Sequence, residues 1–294
     1  MAEDLPLALD LLARHSKSVP AEADGPAGIR IGLEAGLDGG GLLGLPRRWA
    51  LAHTLAPVLA AAFANSPLDR GRPSGWRSLR QAARRELATL PSAAGPSRPP
   101  AGGIPGGPPT PTTGGKPGGP PTSLAGLDPR VSWTAYVMDA PVPGGRTLRQ
   151  WARSANRPTA ADLDRHLAAL RPPVAARGHL ELDFADRQPG AGWQVAVAVT
   201  TTLLDDPLAA AAAEAATEHF AYAKGVWLRA ARDALTDPEL AAAARECFLA
   251  AYAALARQGA ARGLRDAVAD FTERYVLRGR CPADDQLARA GTAS

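Results

Sequence analysis

Residues 91–123, PSAAGPSRPPAGGIPGGPPTPTTGGKPGGPPTS, constrain this chain more than any other stretch. Proline lacks the backbone donor that helices and sheets need, and glycine loses the most entropy on ordering. With Ile104 as its aliphatic side chain, the segment buries too little to offset that entropy. It reads as a disordered linker or insertion over 91–126, partly polyproline-like. A proline-rich ligand for an aromatic groove is the lesser alternative. The tract divides the chain into expected parts 1–90 and 127–285 of one domain, with 286–294 as a frayed tail.

What flanks the tract is ordinary globular material. Of 294 residues, 46% are hydrophobic and 21% charged, which excludes a wholly disordered chain and allows a sizeable core. The net charge of +4 is too small to argue for nucleic acid, and no nucleic-acid partner is expected. Cys247 and Cys281, the two cysteines, exclude a disulfide framework and a cysteine-rich zinc site. No run approaches 18 uninterrupted apolar residues, so no membrane partner is expected. The opening MAEDLPLALDLLARHSK puts acids where a secretory leader needs basic residues, so a cytoplasmic location is expected.

The pattern predicts a mostly helical α+β chain. Ile29, Ile31 and Leu33 alternate with Arg30, Gly32 and Glu34, the period of a half-buried strand. Gly36–Gly44 forms a turn, and Pro46 then opens a helix carrying Trp49, His53, Leu55, Val58, Leu59 and Phe63, with a kink at Pro57. A second helix is predicted over Ser78–Leu90. Thr159 and Asp162 form a capping box for a third, striped by Leu163, His166, Leu167 and Leu170 and stopped by Pro172 and Pro173. A short strand follows at His179–Phe184. Beyond it helices are predicted over 191–204, 207–222, 225–235, 238–257 and 261–278.

Few residues stand out as chemistry. The glycines of 36–44 lack the lysine and hydroxyl that a phosphate loop places at the next helix, and read as a turn. Arg70, Arg72, Arg77 and Arg80 fall within one short segment and could bind a phosphate or carboxylate, or form a solvated basic face. His179, Glu181 and Asp183 share one strand face, either as cation ligands or as a solvated edge. His166 reads as a hydrogen-bonded core histidine, Cys281 as an unreactive thiol, and Asp205-Asp206 as a helix cap.

Four ordered stretches carry a resemblance. The runs ANSPLDRGRPSGWRSLRQ (Ala64–Gln81), PTAADLDRHLAALRPPVAARGHLELDFADRQPGAGW (Pro158–Trp193), TLLDDPLAA (Thr202–Ala210) and RGRCPADD (Arg278–Asp285) resemble the glutamate–cysteine ligases of plants and bacteria. They are most similar to the actinobacterial branch that serves ergothioneine biosynthesis. The resemblance implies a partial glutamine-synthetase-like antiparallel sheet with outer helices. It also implies an ATP- and Mg²⁺-dependent reaction. Glutamate is phosphorylated at its γ-carboxylate, and the amine of cysteine displaces the phosphate to give γ-glutamylcysteine. By the same resemblance Glu181 is implied as a metal ligand and Arg80 as a catalytic residue. Arg77, Arg80, Asn65 and Ser66 are implied as substrate- or phosphate-binding residues. Glutamate, cysteine and ATP are the implied ligands.

The sequence also departs from that family's pattern. Asp183 stands where the strand motif ends in arginine, and Val174-Ala175-Ala176-Arg177 replaces a motif with two arginines. Arg30 and Gly32 replace polar residues of another strand, and residues 1–27 do not resemble the acidic strands with which the family begins. An N-terminally truncated member is therefore expected, with a second protein chain completing its sheet. Three readings stand: a glutamate–cysteine ligase, a catalytically impaired relative acting as a binding or regulatory subunit, or a truncated product with no settled function.

Overall fold

The computed structural model describes residues 28–37, 41–83 and 128–292. The predicted linker over 91–126, the opening segment 1–27 and the second half of the Ser78–Leu90 helix lie outside them. Helix α1, Leu45–Ala62, is buried at every position from Arg48 to Ala62. Such all-round burial suits a sequence that is apolar on every face, and it makes α1 the axis on which other elements pack. Pro46 occupies its first turn as expected, and Pro57 lies inside the helix.

A three-stranded antiparallel sheet covers one side of α1. Strands β1 (Gly28–Leu33), β4 (Val174–Ala176) and β5 (Leu180–Asp186) are ordered β1-β5-β4. Ile31 faces Leu182 and Leu33 faces Leu180 across the β1–β5 ladder, with a bulge between Ile29 and Ile31. Leu180, Leu182 and Phe184 therefore enter the core, while Glu181 and Asp183 take the opposite face. The strand predicted over His179–Phe184 starts one residue later and runs two residues further, to Asp186.

Between α1 and β4 along the chain lie short elements, of which the hydrophobic pattern singled out the helices Leu79–Ala82 and Ala160–Ala169 but not the rest. A two-residue turn at Arg70-Gly71, both with positive φ, joins β2 (Leu68–Asp69) to β3 (Arg72–Pro73). Ser78 then caps α2, Leu79–Ala82. Helices α3 (Pro129–Asp139) and α4 (Leu148–Ala152) follow, capped by Asp128 and Thr147. The predicted Thr159–Asp162 capping box opens α5, Ala160–Ala169. His166 is buried on it and bonds Val137 O through Nε2 at 2.9 Å, a core histidine, whereas Leu163 is exposed and leaves the stripe.

The C-terminal helices α6 (Gly192–Asp205), α7 (Pro207–Thr217), α8 (Val226–Arg232), α9 (Pro238–Arg257), α10 (Arg262–Arg274) and α11 (Pro282–Thr292) close the core. Asp206 caps α7 by accepting from Leu208 N and Ala209 N, as its position predicts. Three predicted helices are shorter than their patterns. The segments 207–222, 225–235 and 261–278 each end in a separate 3₁₀ turn, at Glu218–Ala221, Ala234–Thr236 and Val276–Arg278. Their apolar periodicity continues through these turns because a 3₁₀ turn buries nearly the same face. Residues 286–292, expected within a tail, continue α11. Phe63, the C-cap of α1, meets Phe248 of α9 and Phe271 of α10 at 5.7 and 5.1 Å between ring centroids. This core draws on residues from both sides of the Pro/Gly tract, from Ile31 to Ala283.

No single helix among the described residues is long and apolar enough to cross a membrane. Helices α6 and α7 reach the length only together, with a 95° bend between them.

Candidate active site

Near the end of β5 three of the four motifs meet, the run Thr202–Ala210 lying apart from them. Asp186, 1% exposed, is its last residue. Its Oδ2 accepts from Asn65 N and Ser66 Oγ, each at 2.8 Å, and its Oδ1 from Ser78 Oγ and Arg80 Nε, each at 2.9 Å. Four donors on one buried carboxylate satisfy its oxygens in full, which is what an ionised group in this position requires. Sequence reasoning missed Asp186. The signal was an acid closing an apolar strand, and a single acid at a strand end carries little information.

Arg80 lies across this carboxylate. Besides Asp186 it donates Nη1 to Asp183 Oδ1 at 2.6 Å and Nη2 to Ala185 O at 2.8 Å. Gly28 makes the approach possible, since a Cβ there would sit 2.5 Å from the guanidinium. Asn65 is held in turn by α11: Gln286 Nε2 donates to Asn65 O at 2.8 Å and to its Oδ1 at 2.6 Å. Arg77 Nε donates to Asp284 Oδ1 at 3.0 Å, and Asp284 also accepts from Cys281 N. The arginine-rich segment is thus divided. Arg77 and Arg80 lock motifs together, while Arg70 and Arg72 border a cavity of about 630 Å³ with Asp69, Trp76 and Leu79.

On the polar face of the sheet the charges alternate. Glu181 accepts from Arg177 Nε at 2.9 Å, and Arg30 Nε lies 3.9 Å from the same oxygen. Arg177 spends its remaining nitrogens on Leu167 O and Leu170 O, at the end of α5. Arg30 Nη2 lies 3.8 Å from Asp183 Oδ2. The side chains of Glu181 and Asp183 are only 15% and 11% exposed, so this is not a solvated edge. Nor is it a metal cluster: among the described residues no three His, Cys, Asp or Glu side chains are grouped to hold a metal ion. His179, the third member of the predicted trio, is exposed against Gly32. The carboxylates of Glu181 and Asp183 are engaged by guanidiniums, so the described residues do not fit a Mg²⁺ ion.

Neither thiol is reactive, although Cys281 adjoins Asp284. Both are buried, and burial pushes Cys247 up to about 12 and Cys281 higher still.

The model of glutamate–cysteine ligase family 2 matches residues 32–294. The chain belongs to that family. It is 36% identical over 283 residues to the glutamate–cysteine ligase EgtA of Mycolicibacterium smegmatis, a match covering 87% of this chain and 60% of the relative. Against EgtA of Mycobacterium tuberculosis it is 36% identical over 256 residues, covering 86% of this chain and 55% of the relative. The chain therefore spans a little over half the length of the curated relatives it matches. Within the matched region, the run Ala64–Gln81 supplies the four donors to the Asp186 carboxylate, and Asp186 closes β5 in the run Pro158–Trp193.

Proposed function

We propose that this chain is a glutamate–cysteine ligase that forms γ-glutamylcysteine for ergothioneine biosynthesis, with ATP, glutamate and cysteine as its substrates. Its identity to the two EgtA proteins supports this reading and does not favour a non-catalytic subunit. The observation that carries it is the polar sheet face onto which Arg80 is delivered by the converging motifs. Transfer of a phosphoryl group to the γ-carboxylate gathers negative charge, and a fixed guanidinium stabilises such charge without reorganising. We assign this role to Arg80, with Arg30 beside it. Asn65, Ser66 and Arg77 act by holding the segment that carries Arg80 against β5 and α11, through Asp186 and Asp284. In this reading the three strands form part of a glutamine-synthetase-like sheet that a second protein chain completes. Glu181, the metal ligand that the resemblance implies, is given no such role while Arg177 and Arg30 engage it.

The test is a coupled ADP-release assay on the full chain. ADP release that requires both glutamate and cysteine, and that Arg80→Ala removes from a folded protein, is the expected result. Release independent of either amino acid would overturn the proposal.

A further inference from the structure

Asp183 is held by two guanidiniums. Arg80 Nη1 donates to its Oδ1 at 2.6 Å, and Arg30 Nη2 lies 3.8 Å from its Oδ2. Each carboxylate oxygen thus faces a different cation. A phosphate or a substrate carboxylate presents the same pair of oxygens to guanidiniums. The two arginines reach Asp183 from different elements, Arg30 from β1 and Arg80 from α2. Arg80 is fixed, because Nε and Nη2 are spent on Asp186 and Ala185 O and only Nη1 turns to Asp183. Arg30 is 51% exposed, so this cradle opens to solvent on its β1 side. Arg177 is no part of it, being tied to Glu181 and the end of α5.

We infer that Asp183 is a resident anion in the Arg30–Arg80 cradle, and that an incoming phosphate or carboxylate must displace it to reach those arginines. The inference rests on the ligase reading and adds to it an internal competitor for the substrate's charge. A neutral side chain at position 183 removes the negative charge between the two arginines, leaving Arg80 with Asp186 and Arg30 beside Glu181. Anion affinity then rises by about tenfold or more, the scale of one charge-assisted bidentate contact.

The experiment is isothermal titration of the full chain with metal-free pyrophosphate and, separately, with L-glutamate. Wild type, Asp183→Asn and the Arg30→Ala/Asp183→Asn double variant are compared, with Asp183→Ser as the alternative neutral form. Circular dichroism establishes folding. The expected result is tighter binding of at least one anion by Asp183→Asn, lost in the double variant. The arm that gains tells a nucleotide phosphate from an amino-acid carboxylate. Equal affinities in wild type and both neutral variants would overturn the inference, as would a gain that survives loss of Arg30. Failure of both neutral variants to fold would make Asp183 a structural ion-pair partner and overturn it too. The two proposals fail separately. Dipeptide formation that Asp183→Asn leaves unchanged, without an anion gain, removes this inference alone. An anion gain in a chain that makes no dipeptide removes the ligase reading alone.

Discussion

Arg80 and Asp186 are joined by a 2.9 Å charge-assisted hydrogen bond in which the carboxylate is 1% exposed and the guanidinium side chain 11%. Around this pair the chain ties residues 65–80 to the end of β5. Asp186→Ala leaves Asn65 N, Ser66 Oγ, Ser78 Oγ and Arg80 Nε without the acceptor they share. Removing one partner of a buried pair costs about 3–5 kcal/mol. Urea unfolding should show a loss of that size, with a smaller loss in Asp186→Asn, which keeps one acceptor oxygen.

Gly28 and Gly32 lie four residues apart on β1 and should respond differently to alanine. At Gly28 the new Cβ meets Arg80 at 2.5 Å, and this guanidinium is anchored by three partners. Overpacking of that kind costs about 1–3 kcal/mol. At Gly32 the nearest atom is Cδ2 of the exposed His179, at 3.1 Å, which can turn away. Thermal melting should find Gly28→Ala clearly destabilised and Gly32→Ala close to wild type.

His53 makes stability depend on pH. Its ring is buried against Trp49, with Nδ1 donating to Trp49 O at 2.9 Å, and burial lowers its pKa to about 4. The unfolded chain binds the proton near pH 6.5 while the folded chain resists it, so stability falls as the pH drops from 6.5 towards 4. The loss over that window is about 3 kcal/mol. Unfolding midpoints at pH 7 and 4.5 should separate wild type from His53→Leu, with the steeper decline in wild type.

The thiols give a simple readout of core integrity. Cys247 and Cys281 are both buried, with pKa values pushed well above the usual thiol range. A thiolate reagent such as Ellman's should label neither in the folded protein and both in urea. Rapid labelling of the native chain would contradict the packing of α9 and α11 described above.

Local signals were legible where one short stretch decides the outcome. Thr159 with Asp162, Asp206 before Pro207, and Pro238 each set a helix start by themselves. The β2–β3 hairpin gave less warning, because Arg70 takes a positive φ that the sequence would more readily assign to asparagine or glycine. The arginines at 70–80 looked like one cluster, yet the hairpin and the α2 cap send them to different neighbours. Asp186 was invisible because its role depends on partners more than a hundred residues away. The charge of Asp183 was legible, but not its pairing with both Arg30 and Arg80, which depends on the register of β1 against β5.

Isotope transfer tests the central claim most directly. Glutamate labelled with ¹⁸O in its γ-carboxylate is incubated with the chain, ATP, Mg²⁺ and cysteine, and the products are read by mass spectrometry. A ligase acting through a γ-glutamyl phosphate yields γ-glutamylcysteine and phosphate carrying one ¹⁸O. ADP with unlabelled phosphate and no dipeptide would contradict the account.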